Sequence, residues 1–526
     1  MMHFPGWGSF PVILALALIV VEVLAGILQG RLNDRGRDYL TMCLWTLRPW
    51  FAWSLISLVF RSWPQLAFNE PETFPFYADP WDSDTAVLSR IATLALRPAF
   101  WACALSALCI LVILCATGVR LLRRISSAGR VAVYGPPLLC VLTLAFSLTV
   151  NSLPSGWSRT QTQKQTQTQE EGSFLRSWRN PSATLWPAAR KITGARDHLR
   201  RFLEYQHRLG VHGRSHPPGA SLSLFWIGRI MAWGSAPTPY HYAVGLAMIA
   251  SISGIFVYLL GRMLFSPQVG VCAAMLWGLS PATTIYSVFA QESLYAVFFN
   301  AALCGMWMTA TSERPWRWGL TLGVVFACMA MLNYSWSVAA TMFVVFTLWD
   351  GRKRGKSPID VGRRVVLPMT VFLLLFVFTL VAFRLDYITM YRNAYRHVAT
   401  FYSLSGLYQH AMALGGGQLG VLLMMGSLCG SAFIASAFRL AAKKGGGSAA
   451  SFLGSVLAVY CVPLLMVPAV RVEAARQWNW VATLPIVFAA SLLLEKRGGK
   501  PTWIIAACCV SGLTAIVMRV FLVFWG

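Results

Sequence analysis

Residues 101–117 read WACALSALCILVILCAT, a run without charge or turn signal. A helix needs about 17–25 such residues to cross the hydrocarbon core of a bilayer. The stretch therefore reads as a membrane span, taken here as 91–117. The same criterion carried outward gives spans near 11–29, 41–61, 131–151, 240–261, 268–286, 293–311, 317–333, 336–349, 365–384, 416–438, 451–470, 478–494 and 502–524. That makes about fourteen helices. A segment inside lipid must satisfy its own backbone, which a helix does. The fold class is an all-α polytopic membrane protein.

Composition agrees. Of 526 residues, 56% are hydrophobic and 12% charged, where a soluble domain carries about 25% charged residues. A soluble enzyme, a disordered chain and a fibrous protein are excluded. Lys+Arg number 44 against 19 Asp+Glu, a net charge of +25. In a membrane chain this excess reads as basic cytoplasmic loops, so no nucleic-acid partner is expected. The twelve cysteines lie in apolar runs with no CxxC pair. They read as small core residues, not as disulfides or metal ligands. The first apolar run lacks a basic leader and reads as a span, not a cleaved signal.

The loops set the orientation. Basic loops at 120–130, 352–364, 439–444 and 496–500 fall on one side, as do Arg262 and Arg314. That side is expected to be cytoplasmic. The outer side then holds 62–90, 152–239, 385–415 and 471–477. This scheme requires 221–234 (SLSLFWIGRIMAWG) to lie in the interface or re-enter, since it is short and carries Arg229. Loop 152–220 is net basic yet outside, and the positive-inside rule weakens for loops longer than about 60 residues.

Loop 152–239 is the most informative stretch. It opens with QTQKQTQTQEE, a flexible polar tract. Residues 196–209 then pattern as an amphipathic helix, with Leu199, Phe202, Leu203 and Leu209 on one face and Arg200, Arg201 and Arg208 flanking it. Gly210 is its stop. Such a helix packs on lipid headgroups or binds a lipid phosphate. Asp197 suits the helix start, where a carboxylate meets the dipole. Next comes His212-Gly-Arg-Ser-His216-Pro-Pro-Gly219. Its prolines and glycines fix a rigid turn, either a plain helix entry or a cationic corner, Arg214 with His216, facing a phosphate or sugar.

An HxxHPPG turn after a long outer loop and a juxtamembrane helix resembles the GT-C superfamily of glycosyltransferases. More narrowly it resembles bacterial membrane proteins with a (T/S)HPPG motif, the ArnT- and mannosyltransferase-like families. Two further pieces are similar: Glu473-Ala-Ala-Arg476-Gln-Trp478 before a late span, and Ser280-Pro281 with Gln291-Glu292 and Tyr295. The likeness runs from about 131 to 495. It implies a GT-C-like core at 119–495, preceded by a transmembrane addition at 1–118 and followed by a C-terminal helix within 496–526.

The resemblance implies inverting transfer of a sugar from a polyprenyl-phosphate donor to a lipid or glycan acceptor on the outer face. Such a transfer needs a carboxylate base on the acceptor hydroxyl and cations at the departing phosphate. The family's base lies in the first outer loop of the core, where Glu170 and Glu171 stand closest to the usual place. No Asp-containing motif accompanies them. Arg214, His216 and Arg476 are assigned to the phosphate, since Arg offers a bidentate fork. Glu292, Asp386 and Glu473 are the remaining outer acids assigned to substrate, and a Glu473–Arg476 ion pair is an equal reading.

Tyr391/Tyr395 and Arg392/Arg396 share helical faces and suit either sugar contact or an interfacial belt. Glu22 lies in the first span and takes no assigned role. The acids Asp79, Asp82 and Asp84 form a solvated loop, a weak cation site or an alternative catalytic acid site. There is no HExxH or Walker motif, no GxGxxG after a strand and no ligand cluster with metal spacing, so no cofactor is expected, although some GT-C enzymes use a divalent ion. The expected setting is a bacterial cytoplasmic membrane with a periplasmic or extracellular active face. Two alternatives remain: a transporter or flippase for a lipid-linked or anionic substrate, and an inactive GT-C-like assembly partner. The transporter needs mid-membrane polar groups and repeated halves, and the sequence offers few of either.

Overall fold

The computed structural model describes Ile19 and residues 34–62, 98–124, 129–153, 185–209, 211–288, 292–401, 421–442, 447–466, 479–495 and 502–521. Regular structure among these residues is helical. Three helices lead: α1 (Asp34–Ser62), α2 (Pro98–Arg124) and α3 (Gly129–Asn151). The loop after them carries α4 (Trp186–Arg190), α5 (Ala195–Tyr205), α6 (Val211–Ser215) and α7 (Pro218–Ala232). Then come α8 (Pro239–Leu264), α9 (Pro267–Leu279), α10 (Pro281–Tyr286), α11 (Glu292–Thr311) and α12 (Pro315–Leu332). They are followed by α13 (Trp336–Lys353), α14 (Pro358–Phe383) and α15 (Tyr387–Phe401). The chain closes with α16 (Ser427–Ala442), α17 (Ser448–Met466), α18 (Thr483–Glu495) and α19 (Thr502–Phe521).

The sequence punctuates these helices plainly. Pro218, Pro239, Pro267, Pro281, Pro315 and Pro358 open helices at the first turn, where a missing N–H is harmless. Ser266, Ser280 and Ser357 accept a hydrogen bond from the backbone N–H three residues on, satisfying an otherwise orphaned donor.

Helices α2, α3, α8, α11, α12, α14 and α19 are long and apolar enough to cross a membrane, and α9, α16, α17 and α18 are shorter apolar helices. The chain is an integral multi-pass membrane protein. One expectation changes in detail. The span expected at 268–286 is broken at Ser280, whose ψ of 140° ends α9 while its hydroxyl caps α10. Segment 221–234, expected not to span, forms most of α7, a helix of 15 residues, about 22 Å long and too short to cross alone. The span expected at 11–29 lies outside the described residues apart from Ile19.

The bundle core is continuous through α2, α3, α8, α9, α11, α12, α13, α18 and α19. At the α8–α9 crossing, a Cβ on Gly270 would stand 2.5 Å from the Tyr258 carbonyl oxygen, so only glycine allows the helices to approach this closely. Helix α2 belongs to this core through Ala107, Leu111 and Leu114. Helix α1 joins it where Ser431 Oγ donates to the Trp45 carbonyl at 2.6 Å.

Described residues of two of the expected basic loops, 352–364 and 439–444, lie at one end of the bundle, while loop 496–500 lies outside the described residues. At that end Arg364 donates to the carbonyls of Thr309 and Ser312, each at 2.9 Å, and Lys356 to that of Ala310 at 2.7 Å. There too Arg354 reaches Ser448 Oγ at 2.6 Å and Arg439 makes a two-pronged pair with Glu495 at 2.7 and 2.9 Å. Helices α5, α6 and α15 lie at the opposite end.

Candidate active site

The site is built around the proline turn. Pro217 is extended (φ −64°, ψ 160°) and Pro218 starts α7. A Cβ on Gly219 would stand 2.3 Å from the Met331 carbonyl oxygen, so glycine is what lets α7 start against the end of α12. The turn is also pinned by α5. His198 is 5% exposed. Its Nε2 lies 2.9 Å from Ser221 Oγ, its Nδ1 contacts the Tyr205 hydroxyl, and Ser221 Oγ donates to the Pro218 carbonyl at 3.0 Å. A neutral imidazole completes this chain. Burial, its largest cause, holds the His198 pKa down at about 4. Burial also pushes the Tyr205 phenol up.

Helix α5 is where the lipid-packing expectation is corrected. The apolar face packs on protein: Phe202 is buried with Leu385, in the turn after α14, and Met390 of α15, joined by Met331. Arg200, Arg201 and Arg208 are exposed. Arg201 pairs with Glu204 at 2.8 Å and with Asp197 at 4.0 Å, both in solvent, where such pairs contribute little.

Arg214 and His216 are half-buried neighbours. Arg214 Nε donates to the Leu209 carbonyl at 2.7 Å, which fixes the plane of the guanidinium. His216 Nδ1 lies 3.2 Å from Ser215 Oγ. Gln206, 1% exposed, donates from Nε2 to the carbonyls of Arg214 (3.0 Å) and Met390 (3.2 Å), and Asn393 Nδ2 donates to its Oε1 at 3.4 Å. This amide ties α6 to α15. In consequence the proline turn and the 385–415 loop, separate in the sequence reading, form one corner. His397 of α15 stands close enough that, after burial, the charge of Arg214 further lowers its pKa. Arg392 and Arg396 are exposed on the same helix. The corner is cationic and anchored, suited to an anion.

The acids fall differently. Asp386 is exposed and caps α15: Thr389 donates to it from the backbone at 2.9 Å and from the hydroxyl at 2.5 Å. Those two hydrogen bonds hold its carboxyl below the usual range. Glu292 is 2% exposed in the first turn of α11. Glu170, Glu171, Glu473 and Arg476 lie outside the described residues, as do Glu22 and the 63–90 acids. Among the described residues no group of three or more His, Cys, Asp or Glu side chains is placed to hold a metal.

Sequence reasoning missed His198, Gln206 and an aromatic group at this end. Tyr334, in the turn between α12 and α13, has its ring 5.4 Å from Tyr387 and 5.3 Å from Tyr391. It also missed a buried knot where α3 meets α10: Asn151 Nδ2 donates to the Thr284 carbonyl at 2.6 Å, Ser147 Oγ donates to the same carbonyl at 2.8 Å, and Arg519 reaches the Asn151 carbonyl at 3.4 Å. A surface recess of about 660 Å³ lined by Ser312, Arg314, Arg317 and Trp318 lies at the basic end, away from this corner.

Comparison with known proteins bears on the same segment. Residues 216–381, starting at His216, match the model of the dolichyl-phosphate-mannose-protein mannosyltransferase family. A curated relative, undecaprenyl phosphate-alpha-4-amino-4-deoxy-L-arabinose arabinosyl transferase 2 of Sodalis glossinidius, is 24% identical over 150 residues, 27% of this chain and 27% of its own length. The oligosaccharyltransferase of Archaeoglobus fulgidus aligns over 74% of this chain and 55% of its own, with TM-score 0.48 and 13% identity. ArnT from Cupriavidus metallidurans aligns over 53% and 67%, with TM-score 0.25 and 13% identity. The family match and the curated relative support the GT-C resemblance. The chain covers about a quarter of that curated relative's length.

Proposed function

We propose that the chain is a GT-C-type glycosyltransferase, moving a sugar from a polyprenyl-phosphate donor to a lipid or glycan acceptor on the outer face of a bacterial cytoplasmic membrane. One observation carries this reading: the family match begins at His216, and there Arg214, His216 and the α15 cations are held together by the Gln206 bridge. Arg214 and His216 bind the donor phosphate and stabilise the charge left on it as the glycosidic bond breaks. Arg476 joins them as a bidentate ligand. Glu170 or Glu171 takes the proton from the acceptor hydroxyl as it attacks the anomeric carbon. Asp386, already capping α15, serves to position that helix, and Glu292 contacts the substrate from α11.

The test is sugar transfer by purified protein from polyprenyl-phosphate sugars to membrane-lipid and glycan acceptors. Glu170→Gln or Glu171→Gln is expected to lower the rate by at least about 100-fold while the protein still purifies and melts normally. Full activity in both variants rejects the assigned base. Transport of the donor across a vesicle membrane without any transfer rejects the transferase.

A further inference from the structure

Three hydroxyls are buried together beside the proline turn. Tyr295, in the first turn of α11, is 2% exposed, and its hydroxyl makes no hydrogen bond. The Tyr334 hydroxyl and Ser335 Oγ, in the turn between α12 and α13, are buried and likewise make none. Ser335 faces the Tyr295 hydroxyl without a bond of proper geometry. Tyr387 next to them differs: it accepts from Trp336 Nε1 at 3.0 Å and donates to the Ala330 carbonyl at 3.1 Å. Buried hydroxyls are normally paired, so three open ones in one place call for a ligand with hydroxyls of its own. A polyprenyl chain has none.

The surroundings suit a sugar ring. Tyr334 meets Tyr391 edge-on at 5.3 Å, and Tyr391 is half exposed. Tyr295 meets Trp480 edge-on at 5.2 Å. Aromatic faces cover the C–H side of a sugar while hydroxyls read its edge. Glu292 lies one turn before Tyr295 on the same helix face, adding a buried acceptor. The position also fits. The turn at 333–335 follows Met331, against which Gly219 is packed. Tyr391 precedes His397 by six residues, about 9 Å along α15, so the hydroxyls sit beside the cationic corner.

We propose that Tyr295, Tyr334 and Ser335, walled by Tyr391, form the subsite for the sugar ring of the donor and decide which sugar is accepted. The proposal rests on the reading of the Arg214–His216 corner as the phosphate site. A subsite built on hydrogen bonds rejects a ring lacking the matching hydroxyl strongly, because its own groups then stay unpaired.

The test measures binding of polyprenyl phosphate, and of a panel of its hexosyl and aminopentosyl esters, to the purified full chain. Wild type is expected to bind at least one ester about tenfold tighter than the bare phosphate. Tyr295→Phe, Tyr334→Phe and Ser335→Ala are expected to erase that preference while leaving bare-phosphate affinity unchanged. The Phe variants keep the ring and remove an unpaired oxygen, so their melting temperature without ligand stays equal or rises. Variants that retain the wild-type preference, or a wild type that prefers no ester, overturn the subsite while the phosphate reading stands. Wild type that binds neither bare phosphate nor esters overturns the phosphate reading, and the subsite with it.

Discussion

The side-chain amide of Gln206 donates to the Met390 carbonyl at 3.2 Å, joining segments 184 residues apart. The same amide holds the Arg214 carbonyl at 3.0 Å. One buried side chain therefore places the α15 cations against the proline turn. Gln206→Leu removes the hydrogen bonds to both carbonyls, a loss of about 1–3 kcal/mol. Hydrogen exchange over 387–401 is expected to speed up, with the bundle helices unchanged. Protection of α15 equal to wild type contradicts the bridge.

Gly219 is the tightest point of the turn. Alanine there meets the Met331 carbonyl oxygen at 2.3 Å, and neither backbone yields easily. Gly219→Ala is expected to destabilise the protein by about 1–3 kcal/mol, seen as a lower melting temperature in detergent. A neutral result means that α7 does not start against α12.

His198 gives a pH signature. Its pKa falls from 6.5 to about 4 on folding, so the unfolded state binds more protons between those values. Its stabilising contribution is complete above pH 6.5 and is lost as pH falls toward 4, by roughly 3 kcal/mol in all. His198→Gln is expected to flatten that part of the stability profile. An unchanged slope in the variant assigns it to other groups.

Arg214 is held by its Nε bond to Leu209 at 2.7 Å, a bond lysine cannot make in that geometry. Arg214→Ala is expected to weaken polyprenyl-phosphate binding about 10- to 150-fold, the worth of a hydrogen bond to a charged group. Arg214→Lys does not restore it. Full restoration by lysine reduces the role to charge alone.

Legibility in the sequence followed the range of the interactions. Membrane character is readable in the sequence because apolar runs are local. The rigid His216 turn was visible for the same reason. His198 was passed over because its partner Ser221 is 23 residues away, and Gln206 because Met390 is 184 away. The face of α5 carrying Leu199 and Phe202 was read correctly as apolar. What it packs on was not, since lipid and protein present the same apolar demand to a single helix. The break at Ser280 is invisible to a hydropathy window, which does not register one extended residue.

The most direct test of the account is a cryo-EM map of the purified protein with polyprenyl phosphate. The account predicts phosphate density at Arg214 and His216, with a carboxylate from 152–220 close by. Lipid density lining a path through the bundle, with that corner empty, would contradict it.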